Sequence, residues 1–558
     1  MERTEGAREL ATALAGLKER SGLSYKELAR KVFTSSSTLH RYCSGKGIPG
    51  EYETVLKIAT ECKAEPDELN RLLQYWKAAK GESPADIAAT IDGIQPSRTF
   101  ARSSHDHTAR LVRRTLIGRW TRRRLVLVVA FIVTVFGSAV ASVPSGGGPH
   151  GAETPTRQTL AGSARWVQAP SPVDPTLFGV TMNSNSGAMP SFRVGSVRFW
   201  DSETRWSQLE PTRGEYDWST LDRLLDEAQG KGLPTFFVFG GTPSWAAPGA
   251  RRAAYPDGSR AAPPDDLDEW DAFVRALVEH AGSRIDAYEL WVTANHPHHY
   301  NGTVQTLVDM TRRASAIIRR HDNDAMVICP SVTDLWKAEA HRFLLRFAEL
   351  GGYQYCDAAG IKLYQRRVQD PPETMLEAVE RIDHTFHRAG FHPPLWSTGT
   401  TQSIPLNAPL YEERAADYAV RFYLTGLYAR KFSLQRMYFY AWGNATIPIV
   451  IQAEGGPPTK AGLYIEHLQR WLAHAEIRSC GNGLSIDLPE NVWQCEFLVT
   501  DGDGRRHTAR IRWTITDTAH TVVGSRAQRV EYLDGDSRRV EARDTITITE
   551  RPVLIVDR

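Results

Sequence analysis

Residues 288–300 read YELWVTANHPHHY, a short apolar run that leads into a polar loop. A run of this length, rich in aromatic and branched side chains, is typical of a buried strand. Similar runs recur from residue 178 to residue 443, and most are separated by segments with helical periodicity. The eight runs are FGVTMN (178–183), SVRFW (196–200), PTFFVFG (234–240), YELWVT (288–293), AMVICPS (325–331), AAGIKLY (358–364), PLWSTGT (394–400) and RMYFYAWG (436–443).

The helical segments complete a strand–helix alternation. They are 218–231, 267–282, 304–321, 338–350, 373–389, 409–430 and 459–473. Eight strands alternating with helices over about 300 residues predict a (β/α)8 TIM barrel across residues 174–475. A doubly wound open sheet is the alternative, but the first strand is followed by no Gly-rich phosphate loop.

Residues 476–558 follow a different pattern, in which apolar and polar residues alternate between Asp-Gly turns. This pattern predicts an all-β, sandwich-like accessory domain. Cys480 and Cys495 flank a Gly-Asn-Gly turn, so a hairpin disulfide is expected between them. The spacing of Cys329 and Cys356 neither favours nor excludes a second bridge.

Residues 125–143, LVLVVAFIVTVFGSAVASV, contain no charged side chain. At about 1.5 Å per residue such a helix crosses about 28 Å, so the segment predicts a single transmembrane helix. The arginines of 113–124 precede it and predict a cytoplasmic N-terminus with the C-terminal domain outside the cell membrane. Residues 81–124 then form a basic cytoplasmic linker and 144–173 an extracytoplasmic one. Cys43 and Cys62 are expected to be reduced thiols on the cytoplasmic side.

Charge differs between the two sides of this segment. Residues 1–124 hold 23 Lys and Arg against 15 Asp and Glu, whereas the remainder holds 44 against 50. Most of the positive excess lies in 102–124, since residues 1–101 hold 15 against 14. Residues 1–101 alone therefore carry little net positive charge with which to attract nucleic acid.

Residues 1–80 form the third predicted domain, with five short helices between residues 8 and 79. In GLSYKELARKV, Ser24 and Glu27 have the spacing of a capping box. The following SSSTLHRYCSGKGIP predicts a second short helix that ends at a Gly turn. Two short helices joined by a tight turn inside an all-helical unit are the helix-turn-helix pattern.

These two segments resemble DNA-binding domains of the XRE/Cro type, which are common in actinobacteria. The resemblance implies DNA as partner, bound by a homodimer, with the second helix in the major groove. It places Ser36, Ser37, Thr38 and His40 at bases and Arg41 and Lys46 at phosphates. The alternative is a helical protein-interaction module that has kept the fold and does not bind DNA.

Side chains at the predicted carboxyl ends of the barrel strands are rich in aromatic rings, and this is the end at which barrel sites lie. Rings and polar groups gathered at one rim suggest a sugar-binding surface; the alternative is ordinary packing of the rim. The predicted carbohydrate-binding residues are Arg198, Trp200, Trp206, Trp245, Trp291, Asn295, Tyr364, Trp396 and Trp442, with Asn183, Asn185, Asp201 and Gln365 nearby.

Several ordered motifs, including RFWDSETRWSQLEPTRGEYDW, FGGTPSWA, YELWVTAN and PLWSTG, resemble glycoside hydrolases of clan A, nearest to family 39 with its β-xylosidases. That resemblance implies a retaining mechanism with two glutamates. In this sequence Thr293 stands where the acid/base glutamate belongs, and Gly399 where the nucleophile belongs. Neither residue transfers protons in the useful range, so both catalytic carboxylates are replaced.

Other acidic residues are candidate substitutes for the two glutamates. Glu289 shares the strand face of Thr293 but is expected about 13 Å lower in the barrel. Four other acids lie near the rim and remain candidates for the catalytic role: Asp201, Glu203, Asp334 and Glu454. His296, His298 and His299 have a spacing that suits a metal, yet no nearby carboxylate completes the set. We therefore interpret 288–300 as a degenerate acid/base loop, and we expect no metal and no cofactor.

The sequence accordingly predicts a membrane-anchored transcriptional regulator whose outer pseudo-glycosidase domain senses carbohydrate or cell-envelope glycan. One alternative is a membrane-tethered glycoside hydrolase that uses other carboxylates. Another is a scaffold that joins cell-wall glycan to a cytoplasmic protein. The sequence does not identify the operator or the sugar.

Overall fold

The computed structural model describes residues 5–32, 36–49, 52–62, 64, 66–80, 165–367, 370–399, 410–445 and 447–558. The chain divides into two compact units, Met1–Gly148 and Pro149–Arg558.

The first unit contains the five helices that the sequence predicts. They are α1 (Glu5–Arg20), α2 (Tyr25–Lys31), α3 (Ser36–Cys43), α4 (Tyr52–Glu61) and α5 (Pro66–Lys80). Leu14, Leu28, Leu39 and Ile58 are fully buried and pack into one apolar core. The capping box is confirmed, because the backbone N–H of Glu27 donates to Ser24 Oγ (3.2 Å) and that of Ser24 donates to the Glu27 carboxylate (2.9 Å).

The second unit contains the predicted barrel. Its strands are β2 (Phe178–Met182), β3 (Ser196–Phe199), β4 (Thr235–Val238), β5 (Ala287–Glu289), β6 (Met326–Val332), β7 (Ala358–Ile361), β8 (Leu395–Ser397) and β9 (Leu434–Trp442). Neighbouring strands are parallel, and β9 pairs with β2 to close the barrel in sequence order. The eight-stranded parallel barrel is therefore confirmed.

Amphipathic helices surround these strands. They are α6 (Trp206–Leu209), α7 (Ser219–Gly230), α8 (Leu267–Ala281), α9 (Val304–His321), α10 (Ala338–Glu349), α11 (Met375–Arg388), α12 (Glu412–Tyr428) and α13 (Lys460–Trp471). In α9, the side chains of Leu307, Ala314 and Ile318 are buried along one face, and Thr303 caps the first turn. Such a stripe fixes each helix against the strands and leaves the loops at the carboxyl ends free to form a site.

The C-terminal region is made of antiparallel sheets. Its strands are β10 (Ala475–Asn482), β11 (Val492–Thr500), β12 (Arg506–Thr514), β13 (Ala519–Val522), β14 (Ala527–Tyr532), β15 (Ser537–Arg539), β16 (Thr545–Ile548) and β17 (Val553–Asp557). The larger sheet also includes β1 (Trp166–Pro172), and its seven strands lie in the order β1-β10-β11-β12-β17-β14-β15, while β13 pairs with β16. Its first strand, β1 (Trp166–Pro172), lies before the barrel in the chain, in a segment that the sequence placed in a linker.

Two disulfides lie in this unit. Cys480 and Cys495 are direct partners across β10 and β11 and are bridged, with Cα atoms 4.1 Å apart. Cys329 is bridged to Cys356, the pair that the sequence left open. Cys43 and Cys62 are free and buried.

A buried ion-pair network joins the barrel to the larger sheet. The Arg421 guanidinium on α12 donates two hydrogen bonds to the Glu373 carboxylate (2.8 and 2.6 Å) and a third to Glu550 (3.0 Å). Trp513 Nε1 on β12 also donates to Glu373 (2.7 Å). Arg421 is fully buried, so these acceptors are needed to stabilise its charge.

The structure does not support the predicted transmembrane helix. No helix among the described residues is both long enough and apolar enough to cross a membrane. A span needs about 20 mostly apolar residues, whereas α9 has 18 residues and includes Asp309, Arg312 and Arg313. The fold class is therefore a helix-turn-helix head, a barrel and C-terminal β sheets, and the single-pass cell-membrane localisation is withdrawn. The segment 125–143 lies outside the described residues.

Candidate functional site

A cavity of about 210 Å³ opens at the carboxyl end of the barrel, and we call it the mouth cavity. Strands β3, β5, β7, β8 and β9 or the residues directly after them supply most of its lining. The lining residues are Arg198, Trp200, Asp201, Tyr255, Val292, Thr293, His299, Lys362, Gly399 and Tyr440.

A buried charge cluster lies at the mouth cavity. Arg198 Nε and Nη2 both donate to the Glu289 carboxylate, at 2.9 and 2.7 Å, and both side chains are almost wholly excluded from solvent. Thr398 Oγ1 donates to the other Glu289 oxygen (3.2 Å), and Lys362 Nζ lies 3.8 Å from it. Because β5 ends at Glu289, the extended-strand spacing expected between Glu289 and Thr293 does not apply. Glu289 therefore serves as the counterion of Arg198.

Lys362 follows β7 and donates from Nζ to the carbonyl oxygen (2.9 Å) and hydroxyl (3.1 Å) of Thr398. Burial, with the neighbouring positive charge of Arg198, lowers the pKa of Lys362 to about 7. The opposite effect of Glu289 and Asp201 is smaller. The charge of the mouth cavity therefore changes near neutral pH.

Asp201 is the acidic residue in the lining. Its carboxylate accepts a hydrogen bond from the Tyr440 hydroxyl (2.6 Å) and lies 3.5 Å from Arg205 Nη1. Burial and the charge of Asp201 raise the pKa of Tyr440, so its hydroxyl remains a donor. Asp201 is thus held by two partners inside the protein.

Thr293 and Gly399 both line the mouth cavity and both have left-handed backbone, with φ of 51° and 98°. The Thr293 backbone N–H donates to Ser331 Oγ (2.9 Å), which fixes the turn after β5. The Thr293 hydroxyl does not titrate in the useful range, and Gly399 has no side chain.

The other acids proposed as substitutes are not part of the lining. Asp334 accepts hydrogen bonds from the Tyr364 hydroxyl (2.8 Å) and from Lys337 Nζ (2.9 Å). Glu454 accepts from Ser184 Oγ (2.7 Å) and from Ser186 Oγ. Glu203 is exposed on a turn with φ of 58°. Among these acids only Asp201 is placed to meet a molecule in the cavity.

The aromatic residues predicted to bind sugar divide into two groups. Trp200 lines the mouth cavity, where Tyr255 packs edge-on against it. Four others have exposures of 1% or less and pack in the core, so their faces are not available to a sugar: Trp206, Trp291, Trp396 and Trp442. Trp245 and Tyr364 are half-buried, and each is fixed by a hydrogen bond, from Trp245 Nε1 to the Glu210 carbonyl (3.0 Å) and from the Tyr364 hydroxyl to Asp334.

The predicted asparagines and Gln365 lie outside the lining of the mouth cavity. The Asn295 amide exchanges two hydrogen bonds of 2.9 Å with the backbone of Thr333. The backbone carbonyl of Asn185 accepts from Arg223 (2.7 Å), and the backbone N–H of Asn183 donates to the backbone carbonyl of Trp442 (2.9 Å). Gln365 is buried outside the lining. Of the predicted carbohydrate-binding set, the mouth cavity contains Arg198 and Trp200.

Sequence reasoning missed Tyr255, Lys362 and Tyr440 as lining residues. Lys362 directly follows a strand and Tyr440 lies near the end of one, so counting from the strand ends would have found both. Tyr255 lies in a long loop without periodicity, and no pattern signals its position.

Each of the three histidines takes part in a hydrogen bond within the protein, and His296 Nδ1 accepts from the backbone N–H of His298 (3.4 Å). His299 Nδ1 contacts the Tyr255 hydroxyl (2.5 Å), and His298 Nδ1 contacts Arg251 Nη2 (3.1 Å). Burial and the neighbouring His296 lower the pKa of His299 to about 4. Within the described part of the chain, no group of three or more His, Cys, Asp or Glu side chains is placed to hold a metal ion.

In the head, α3 presents the residues that the resemblance assigns to DNA. Ser36, Ser37, His40 and Arg41 are exposed, whereas Leu39 is buried. Thr38 is half-buried and Lys46 is exposed beyond the end of the helix. One face of α3 is thus polar and accessible, which a major-groove helix requires.

Comparisons with known proteins agree with both folds. A helix-turn-helix domain family matches residues 9–72, and a β-galactosidase family matches residues 183–284. A family 39 glycoside hydrolase from Bacteroides cellulosilyticus is 13% identical, with a TM-score of 0.52 over 70% of this chain and 81% of its own. A glucosidase from Croceicoccus marinus is 15% identical, with a TM-score of 0.50 over 71% of this chain and 99% of its own. Comparison with curated proteins gives no match.

The first unit therefore contains a helix-turn-helix domain, and the second has the fold of a glycoside hydrolase.

Proposed function

We propose that this chain is a DNA-binding transcriptional regulator whose barrel binds a carbohydrate as a signal and does not hydrolyse it. The observation that carries the proposal is the lining of the mouth cavity. Thr293 and Gly399 stand where the resemblance to family 39 places two catalytic glutamates, while Trp200 and several polar groups line the same cavity. The cavity therefore keeps groups that could bind a sugar while it lacks the two carboxylates that hydrolysis needs.

A retaining glycosidase needs two carboxyl groups about 5–5.5 Å apart, one to protonate the leaving group and one to form the covalent intermediate. The two carboxylates near the cavity have other partners: Glu289 pairs with Arg198, and Asp201 is held by Tyr440 and Arg205. We expect the full chain to hydrolyse no aryl-xyloside, aryl-glucoside or aryl-arabinoside above background.

On the DNA side, Ser36, Ser37, Thr38 and His40 are the proposed base contacts, and Arg41 and Lys46 the proposed phosphate contacts of a homodimer. Replacing Ser36, Ser37 and His40 by Ala should relax sequence preference, whereas Arg41→Ala should weaken binding to every DNA and reduce its salt dependence. Sites are selected from random duplexes with the full chain, and affinities are then measured at several salt concentrations. A chain that selects no sequence would instead indicate the protein-interaction module.

Regulation by a sugar is tested by measuring the affinity of the full chain for its operator DNA with and without added monosaccharides. A sugar that binds the barrel and changes operator affinity would establish the link between the two domains. Sugar binding without any change in DNA affinity would contradict regulation by ligand.

A second candidate function, hydrolysis through a displaced carboxylate, is favoured by one observation: Asp201 lines the mouth cavity. If this candidate were correct, the unmodified chain would hydrolyse an aryl-glycoside, and Asp201→Asn would abolish that activity. Glu203→Gln is the matched control, because Glu203 is exposed and outside the lining.

A further inference from the structure

Lys362 is a buried amine at the mouth cavity. It follows β7 directly, so it lies at the carboxyl end of the barrel, and it is part of the cavity lining. Its side chain is 5% exposed. An ammonium loses its hydration on burial, so a buried lysine either has a counterion of its own or gives up its proton. The contacts of Lys362 distinguish these two states.

The carboxylate that Lys362 approaches is already matched by another cation. Arg198 donates two hydrogen bonds to Glu289, at 2.9 and 2.7 Å. Lys362 Nζ lies 3.8 Å from the nearer Glu289 oxygen, which is longer than a hydrogen bond. One negative charge thus faces two basic groups, and a guanidinium does not deprotonate in proteins. The surplus positive charge is therefore the one on Lys362.

The hydrogen bonds of Lys362 suit an uncharged amine. Nζ donates to the carbonyl oxygen of Thr398 (2.9 Å) and to its hydroxyl oxygen (3.1 Å). These two bonds need two N–H groups, which a neutral amine has, and the same hydroxyl donates onward to Glu289 (3.2 Å). Lys362 can therefore lose its proton and keep both bonds, with an electron pair left on Nζ.

The charges around Lys362 favour this neutral form. Burial and the neighbouring Arg198 lower its pKa to about 7, against the smaller opposite effect of Glu289 and Asp201. His299 adds no charge near neutrality, because its own pKa is about 4. At pH 7 about half of the Lys362 side chains are then uncharged, whereas an exposed lysine with a pKa of about 10.4 is almost wholly protonated. Desolvation and a second cation nearby are two ways in which proteins make lysine nucleophilic.

We propose that Lys362 is a nucleophile that binds a small aldehyde or ketone covalently, as a reversible imine, in the mouth cavity. The cavity volume of about 210 Å³ suits a molecule of a few carbon atoms. This inference goes beyond the proposed function, because a reducing sugar in its open-chain form is one member of a wider class of carbonyl ligands.

The reaction is a condensation. Nζ of the neutral amine attacks the carbonyl carbon, and a carbon–nitrogen double bond replaces the carbon–oxygen double bond. The carbonyl oxygen leaves as water with the two protons of the amine. No electrons pass to or from another reagent, and addition of water to the imine releases the ligand and restores Lys362.

The experiment traps the imine in the full chain at pH 7. Propanal or D-glyceraldehyde is added with sodium cyanoborohydride, whose hydride converts an imine to a stable secondary amine, and the modified lysines are identified by peptide mass spectrometry. We expect Lys362 to carry at least about tenfold more label than Lys337, because an ordinary lysine is almost wholly protonated at this pH. Exposure alone would give the opposite order, since the Lys337 side chain is 64% exposed.

Two variants separate the reactive site from burial in general. Lys362→Met removes the amine and should abolish the rapid labelling of the chain. Lys431→Met is the matched control, because burial lowers the pKa of Lys431 as well but this residue lies outside the cavity lining. We expect Lys431→Met to be labelled like the unmodified chain. Mapping of the label in the unmodified chain tests the proposal even if a variant does not fold.

The possible results also separate this inference from the proposed function. Label at Lys362 from propanal, in a chain that binds no sugar by calorimetry, would support the imine and contradict the carbohydrate function. Equal or heavier label at Lys337 or Lys431 would overturn the inference. Sugar binding without label at Lys362 would overturn the inference and leave the carbohydrate function in place.

Discussion

At the scale of single residues, Lys362 makes the mouth cavity sensitive to pH. Its neighbours are Arg198, Glu289 and Asp201, and its pKa of about 7 means that it is charged below neutrality and increasingly neutral above it. The other lining groups with shifted pKa values do not titrate between pH 6 and pH 8. The pKa of His299 is about 4, and those of Tyr255 and Tyr440 are raised by burial.

We therefore expect the affinity of the mouth cavity for a simple carboxylate such as formate to fall as pH rises from 6 to 8. The carboxylate stays ionised across this range, while the positive charge on Lys362 is lost as pH passes about 7. Calorimetry at several pH values measures the effect. Lys362→Met should remove the pH dependence, and an unchanged slope in that variant would show that another group is responsible.

A second prediction at this scale separates a tryptophan that lines the mouth cavity from a tryptophan that does not. Trp200→Ala should lower sugar affinity by about 1 kcal/mol, because a ring that stacks on a ligand contributes roughly that amount. Trp291→Ala should lower the free energy of unfolding by about 3–5 kcal/mol, because Trp291 is fully buried against Trp270 and Tyr300. Ligand titration and denaturant unfolding of both variants test the distinction. Equal loss of affinity in two folded variants would contradict it.

At the scale of elements, the capping box of α2 contributes to the stability of the helix-turn-helix. Ser24→Ala removes the acceptor for the Glu27 backbone N–H and should destabilise α2 by about 1 kcal/mol. Hydrogen exchange of residues 25–31 in the full chain should be faster in this variant. Thr12→Ala is a suitable control, because Thr12 is exposed on α1 and its hydroxyl donates only within that helix. Unchanged exchange at α2 would show that its packing, not its cap, limits opening.

Sequence reasoning located the barrel elements closely, because each strand is an apolar run and each helix an amphipathic stripe. Helix α9 begins and ends where the periodicity predicts it. The strand β1 was not found, since WVQAPSP contains two prolines and its partner β10 lies far away in sequence. The sequence pattern also did not show whether a given side chain faces the core or the mouth cavity. Trp291 follows the end of β5, and the left-handed turn at Thr293 then changes the chain direction.

At the scale of the whole molecule, Arg421 joins the barrel to the larger sheet. Arg421→Met would leave Glu373 buried without its charge partner, so we expect a loss of about 3–5 kcal/mol in the free energy of unfolding. Arg342→Met breaks an exposed pair with Glu339 and should cost about 0–1 kcal/mol. Denaturant unfolding of the two variants tests the difference. Similar small losses would mean that the junction is not stabilised by this network.

The position of β1 also bears on how the chain is made. This strand leaves the ribosome before the barrel, yet its partner β10 begins at Ala475, after the barrel is complete. At about 5–20 residues per second, synthesis of the roughly 300 intervening residues takes on the order of 15–60 seconds. During that interval β1 has no edge to pair with. A chain that begins at residue 174 would fold without β1, leaving β10 as an unpaired edge open to association with other chains.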